Sequence, residues 1–105
     1  MAKQGIIGVD LGGTKVSVGR VEGSRVVRGV TAEISAEESE AWVLRRVVQA
    51  IKKVFLPSVA GIGVGVPSLV DVEEGIVYNV QNIPSWKRVP LKKILEDRFH
   101  RPVLV

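Results

Sequence analysis

The chain has 105 residues, of which 46% are apolar and 25% are charged, with a net charge of +4 and no cysteine. These values fit one globular domain and exclude disordered, fibrous, disulfide-bonded and thiolate-metal proteins. The cations are dispersed in runs of at most two residues, which favours a solvated surface over a nucleic-acid interface.

The first predicted elements are two strands joined by a glycine turn. Residues 5–9 and 16–21 are rich in valine and isoleucine, which is typical of strands. Between them, glycines that can take positive φ and lack a Cβ allow a polyanion to reach the backbone N–H groups, with a hydroxyl and an ammonium close by. A carboxylate at the strand end suits Mg²⁺, which combines few carboxylates with waters and phosphates. We therefore predict a phosphate and magnesium site at Asp10, Gly12, Gly13, Thr14 and Lys15.

The same stretch has a simpler interpretation as an ordinary tight hairpin. Gly-Gly alone is a common hairpin turn, although a turn needs neither the carboxylate nor the Thr-Lys pair. The stretch is not a Walker A loop, because Thr14-Lys15 reverses the order of the lysine and the hydroxyl residue and because a strand follows it.

A third strand at residues 25–34 is followed by an amphipathic helix. Ser35 is predicted as its N-cap, with Glu38 completing a capping box. From that cap to Phe55 we predict an amphipathic helix of about five turns, with an acidic start and a basic end, because the apolar residues from Leu44 onwards recur at helical spacing. Trp42, near the start of the helix, is interpreted as a packing residue.

The next predicted strand, Val59 to Val66, has one face without side chains. Gly61, Gly63 and Gly65 alternate with apolar residues, so we expect either a packed helix or a ligand to lie against that face. A dinucleotide fingerprint is excluded because its third glycine is missing.

The remainder predicts a short acidic turn at residues 70–75, an irregular polar segment at 79–86, a helix with Pro90 at its first position, and a last strand at 103–105. His100, at the end of that helix, is interpreted as a surface or capping residue. Three strands, a helix, a strand, a helix and a strand predict an α/β fold: a mixed five-stranded sheet of order 3-2-1-4-5 with helices packed on it.

Three motifs in this order resemble the N-terminal domain of the ROK family, the bacterial sugar kinases and repressors of the hexokinase, actin and Hsp70 superfamily. The motifs are Gly8 to Lys15, Gly63 to Asp71, and Asn82 to Trp86 followed by Pro90-Leu91. The resemblance covers essentially the whole chain. It implies a ribonuclease-H-like, actin-like ATPase fold and transfer of the γ-phosphoryl group of ATP, with Mg²⁺, to a hydroxyl of a hexose or amino sugar.

The resemblance also implies roles for single residues. Asp10 to Lys15 form the phosphate and magnesium end, while Ser68 and Asn82 contact the sugar; Ser68 stands where the family usually has glycine. In the family an Asn-Asp pair follows the strand matching residues 103–105, and its aspartate is the general base. The chain ends before that pair, so no catalytic residue is predicted in it. Residues 1–105 are expected to form the N-terminal small lobe of a two-lobe sugar kinase, inactive without the C-terminal lobe, which would carry the zinc-binding cysteines and the adenosine site.

Two other functions remain open. A ROK-type repressor senses sugar and carries a helix-turn-helix segment before the phosphate motif, whereas Met1 here lies only four residues before the first strand. An ATPase or activator of the same superfamily is the second alternative. With no signal pattern and no apolar run near ~18 residues, we expect a cytoplasmic protein without membrane or nucleic-acid partners. The face that meets a second lobe could also drive homo-oligomer formation.

Overall fold

The computed structural model describes residues 4–35 and 37–105. Its elements, in chain order, are β1 (Gly5–Leu11), β2 (Lys15–Glu22), β3 (Arg25–Glu33), α1 (Glu40–Val54), β4 (Val59–Gly65), β5 (Leu69–Asp71), β6 (Ile76–Tyr78), β7 (Arg88–Val89), α2 (Leu91–Phe99) and β8 (Val103–Leu104). None of the helices in these two ranges is long and apolar enough to cross a membrane.

Five strands form one mixed sheet in the order β3-β2-β1-β4-β8. β1 pairs antiparallel with β2 and β2 with β3, whereas β4 runs parallel to β1 and β8 parallel to β4. β8 is the fifth of the strands that the sequence predicts, since β5, β6 and β7 are short additions outside this sheet. The predicted α/β class and strand order are therefore confirmed.

The three short strands form a small second sheet that was not predicted from the sequence. β5, β6 and β7 pair antiparallel in that order, and Gly75 closes the β5–β6 turn with a φ of 65°. The backbone N–H of Lys92, in the first turn of α2, donates to the Gly75 carbonyl at 3.1 Å. This small sheet therefore holds the start of α2.

Both helices cover the same face of the large sheet. Along β1 the burial alternates strictly, and Ile7, Val9 and Leu11 are buried. The other core residues of the sheet are Val16, Val18, Ile62, Val64 and Val103. From β2 and β3, Arg20 and Arg28 donate to the carbonyls of Val54 and Lys53 at the end of α1. These bonds satisfy carbonyls that a helix end leaves unpaired and fix α1 on this face.

Three details of the helices differ from the prediction or refine it. The N-cap of α1 is Ser39, not Ser35: its hydroxyl accepts the Trp42 N–H at 3.1 Å, while the Ser35 carbonyl accepts the Glu38 N–H in a preceding turn. The predicted capping box is thus wrong, and α1 has 15 residues rather than five full turns. Pro90 is the N-cap of α2 rather than its first residue. His100 is confirmed as a cap, with a left-handed φ of 55° and its N–H bonded to the Glu96 carbonyl.

Candidate active site

Asp10 lies on the open face of the large sheet, near the carboxyl end of β1. In register it stands beside Ser17 of β2 and Gly65 of β4, and the hydroxyl groups of Ser17 and Thr31 are 3.4 Å apart. A polar row, Thr31-Ser17-Asp10, therefore crosses three strands. Ser17 and Thr31 were not predicted as neighbours of Asp10, because strand alternation gives the face of a residue but not its partner on the next strand.

The glycine turn follows directly. One backbone hydrogen bond closes it and a second joins it to the residue after β3. The Gly12 N–H donates to the Lys15 carbonyl at 2.9 Å, and the Thr14 carbonyl accepts the Ile34 N–H at 2.9 Å. Within the described ranges, the amides of Gly13 and Thr14 donate to no backbone carbonyl. Two N–H groups of the predicted phosphate site are therefore free of backbone partners, whereas that of Gly12 serves the turn itself.

The need for glycine in this turn is steric. Of the glycines in residues 4–35 and 37–105, only Gly23 and Gly75 have positive φ, so Gly12 and Gly13 do not use the positive φ that glycine allows. A Cβ on Gly13 would lie 2.2 Å from the Asn82 Cβ, and one on Gly12 would lie 3.3 Å from the Lys15 carbonyl oxygen. A side chain at residue 13 would therefore collide with Asn82, whereas one at residue 12 would be tight against the Lys15 carbonyl.

Asn82 contacts the glycine turn because the segment at residues 79–87 folds back on itself and is held by backbone hydrogen bonds. The N–H of Asn79 donates to the Lys87 carbonyl and that of Val80 to the Trp86 carbonyl, at 2.9 and 3.0 Å. Val80, Ile83 and Trp86 are buried, and the Trp86 indole N–H donates to the Glu40 carbonyl at 3.3 Å. The segment predicted as irregular is therefore an anchored loop, and Asn82 lies exposed on it.

Beside Asp10 the open face is bare. Gly29, Gly19, Gly8 and Gly63 stand in register across four strands, and a Cβ on Gly8 or Gly63 would meet nothing within 4 Å. We predicted that a packed helix or a ligand lies against this face, and no helix of the described residues lies there. We call this row of four glycines the glycine trough.

The model of the ROK family matches residues 6–105. The chain belongs to the ROK family. The glucokinase of Thermotoga maritima is 38% identical over 107 residues, an alignment that covers 100% of this chain and 34% of that enzyme. The xylose repressor of Caldicellulosiruptor bescii is 30% identical over 108 residues, which cover 95% of this chain and 27% of the repressor. The chain thus spans about a third of the length of the curated relatives it matches.

A solved structure agrees with these sequence matches. The ROK glucokinase of Streptomyces griseus, in complex with glucose and AMPPNP, superimposes with a TM-score of 0.76 at 28% identity. The superposition covers 96% of this chain and 32% of that enzyme. The predicted actin-like ATPase fold is therefore confirmed together with the family.

Ser68 is the predicted ROK site residue that the structure does not join to the others. It lies between β4 and β5, half-buried, and its hydroxyl donates to the Leu69 carbonyl at 3.4 Å. No hydrogen bond within the described residues connects it to the turn at 10–15. Asp71, a further carboxylate of this motif, accepts the Glu74 N–H through Oδ1 at 3.1 Å, so it stabilises the β5–β6 turn.

Asp10 alone cannot bind Mg²⁺, but it fits as one ligand of an ion that is also bound by waters and phosphates. Asp10 and Lys15 are exposed, and in residues 4–35 and 37–105 neither takes part in a salt bridge. These ranges contain no group of three or more His, Asp or Glu residues that could hold a metal ion. One free carboxylate beside a phosphate turn fits Mg²⁺, which keeps several waters and binds the substrate phosphates.

Proposed function

We propose that this ROK chain is the N-terminal small lobe of a two-lobe, ATP-dependent sugar kinase that phosphorylates a hexose or amino sugar. The observation that carries the proposal is the contact between Gly13 and Asn82, which joins a turn with free amides to an exposed side-chain amide. The first suits phosphate oxygens and the second suits sugar hydroxyls, which need donors and acceptors. Phosphoryl transfer depends on holding these two reactants next to each other.

In this proposal each residue of the turn has a separate task. The N–H groups of Gly13 and Thr14 donate to phosphate oxygens, the Thr14 hydroxyl adds a third donor, and the Lys15 ammonium neutralises phosphate charge. Asp10 holds Mg²⁺ through its carboxylate, and the ion when bound supplies charge stabilisation on the transferring group. Asn82 and Ser68 orient the sugar.

The group that removes the proton from the sugar hydroxyl lies outside residues 1–105 in this proposal. The side chain of Asp71 is engaged in its own turn, and Asp10 is assigned to the metal. We therefore expect the 105-residue chain alone to form no sugar-dependent ADP. Sugar-dependent turnover by the chain alone would contradict this assignment.

The full-length protein tests the proposal directly. We expect it to form ADP from MgATP only when glucose or a related hexose is present, and Asp10→Asn to lower kcat by about 10²-fold or more, as the loss of a charge-stabilising group does. The thermal stability should not change, because Asp10 is exposed and has no salt bridge in the described ranges. A full-length Asp10→Asn protein with wild-type turnover would contradict the metal role.

A sugar-sensing repressor is the alternative, favoured by the similarity to the xylose repressor. A repressor of this kind would bind sugar without phosphorylating it. Kinase activity is the better proposal because the glucokinase match is 38% identical over the whole chain, whereas the xylose repressor of Caldicellulosiruptor bescii is 30% identical over 95% of it. Binding of the full-length protein to DNA, released by sugar and without ADP formation, would reverse this choice.

A further inference from the structure

Asn82 approaches the glycine turn most closely with its Cβ, at the base of its side chain. A Cβ on Gly13 would lie 2.2 Å from the Asn82 Cβ, 3.0 Å from its Cγ and 3.2 Å from its Nδ2. The α-carbon of Gly13 therefore packs on the base of the Asn82 side chain. The amide at the end of that side chain has no hydrogen-bond partner within the described residues, so it is available to a ligand.

The two partners of this contact differ in stiffness. Asn82 belongs to a loop whose ends are joined by backbone hydrogen bonds and whose apolar residues are buried, with Trp86 fixed to the start of α1. Gly12-Gly13 has the widest conformational freedom that a dipeptide can have. The loop that carries Asn82 is therefore the rigid partner, and the Gly12-Gly13 turn is the flexible partner that the contact can hold in one conformation.

We propose that Asn82 is a positioning residue for the phosphate turn, and that this contact couples the sugar subsite to the nucleotide subsite. The inference rests on the proposed function. The Cβ of Asn82 limits where Gly13 can move and so directs the free N–H groups of Gly13 and Thr14. A sugar that binds the amide of Asn82 immobilises the same side chain from its other end. Because such coupling is reciprocal, sugar raises the affinity for nucleotide and nucleotide raises the affinity for sugar by the same factor.

Two substitutions at residue 82 separate positioning from sugar binding. Asn82→Ala removes the amide but keeps the Cβ that touches Gly13, whereas Asn82→Gly removes both. In the full-length protein, titration calorimetry should give a MgATP Kd near the wild-type value for Asn82→Ala and a Kd about tenfold weaker for Asn82→Gly. Glucose should tighten MgATP binding at least about fivefold in the wild type and have little effect in either variant. Equal MgATP affinities for the two variants would overturn the proposal.

The matched control is Gln81→Gly, one residue earlier in the same loop. Gln81 is exposed and is not among the atoms nearest to the Gly13 Cβ position. It therefore adds the same backbone freedom without removing the contact. We expect its MgATP affinity to stay within about twofold of the wild type. A tenfold loss would assign the effect of Asn82→Gly to loop flexibility and would overturn the positioning role.

A second measurement needs no ligand. Because Gly13 has no positive φ, the Asn82 side chain is the obstacle to alanine at this position. Gly13→Ala should therefore lower the melting temperature of the full-length protein by several degrees. Adding Asn82→Gly should restore much of this loss, because the new methyl group occupies the space of the removed Cβ. Additive losses would show that the two residues do not support each other.

The two measurements also distinguish the present inference from the function on which it rests. A full-length protein that binds neither MgATP nor glucose overturns both the sugar kinase and the coupling, even if the melting temperatures show the contact. A protein that binds both ligands independently, with equal Asn82→Ala and Asn82→Gly affinities, keeps the kinase and overturns the coupling alone.

Discussion

The two faces of the five-stranded sheet are built from the same strands but differ in the kind of residue that they carry. On the helix face, residues such as Ile7, Val9 and Leu11 are buried under α1 and α2. On the open face the neighbouring positions hold Asp10, the polar row and the glycine trough, with Ile6 49% exposed. One face therefore determines whether the chain folds, and the other holds the residues proposed to bind ligands.

The contrast shows why glycine recurs on one face only. A buried face gains stability from each methylene it removes from water, about 25 cal/mol per Å². Gly8, Gly19, Gly29 and Gly63 contribute no such area, and their positions do not require positive φ. We attribute these glycines to the open, accessible backbone surface that they leave on this face, and not to the stability of the chain.

The largest effect should come from two adjacent isoleucines. Ile7 is 0% exposed and Ile6 is 49% exposed, so the same substitution on the two faces isolates burial. Ile7→Ala should lower the free energy of unfolding by about 2–5 kcal/mol because it leaves a cavity, and Ile6→Ala by less than about 1 kcal/mol. Chemical denaturation, with the midpoint and slope fitted separately, measures both.

Two smaller substitutions at the same residues keep the comparison measurable if Ile7→Ala does not fold. Ile7→Val should still lower the free energy of unfolding by about 0.5–1.5 kcal/mol, whereas Ile6→Val should leave it nearly unchanged. Equal losses at residues 6 and 7 would mean that the open face is as well packed as the helix face.

Much of the fold could be predicted from the sequence because its signals are local. Valine- and isoleucine-rich runs predicted the first three strands of the large sheet, glycines alternating with apolar residues predicted the fourth, and a short apolar run after α2 predicted the fifth. Apolar residues at helical spacing predicted both helices. The small sheet was missed because its strands have three, three and two residues, too few to show a period. The N-cap of α1 was misplaced because Ser35 and Ser39 are both serines ahead of the helical spacing, and only backbone geometry selects Ser39.

The candidate site was predictable in part. The turn at residues 10–15 is contiguous, so its residue types are visible in the sequence. Its contact with Asn82 is not, because it depends on how the 79–87 loop folds back, and Trp86 is anchored to a helix whose start lies far away in sequence. The cross-strand register that aligns the glycine trough is likewise a property of the pairing, not of any one strand.

Substitutions at two turn glycines, one in close contact with α2 and one open to solvent, should change the free energy of unfolding by intermediate amounts. Gly75 and Gly23 have φ of 65° and 63°, but a Cβ on Gly75 would lie 2.0 Å from the Lys92 Cβ, whereas one on Gly23 meets nothing within 4 Å. Gly23→Ala should lower the free energy of unfolding by about 1–2 kcal/mol through backbone strain alone. Gly75→Ala adds overpacking against α2 and should lower it by about 2–4 kcal/mol. Equal melting temperatures for the two variants would contradict the close packing of the small sheet on α2.

The smallest effect has the opposite sign and lies in the trough. Glycine within a strand lowers stability by roughly 0.5–1 kcal/mol relative to alanine because it loses more backbone freedom on folding. Since a Cβ on Gly63 meets nothing within 4 Å, Gly63→Ala should raise the free energy of unfolding of this chain by up to that amount. Gly61, on the same face of β4, is the matched control, because its Cβ would lie 3.3 Å from the Pro102 carbonyl oxygen and should cancel the gain. A loss of stability in Gly63→Ala, measured by denaturation of the 105-residue chain, would mean that the trough is already covered in solution, for instance by a second copy of the chain.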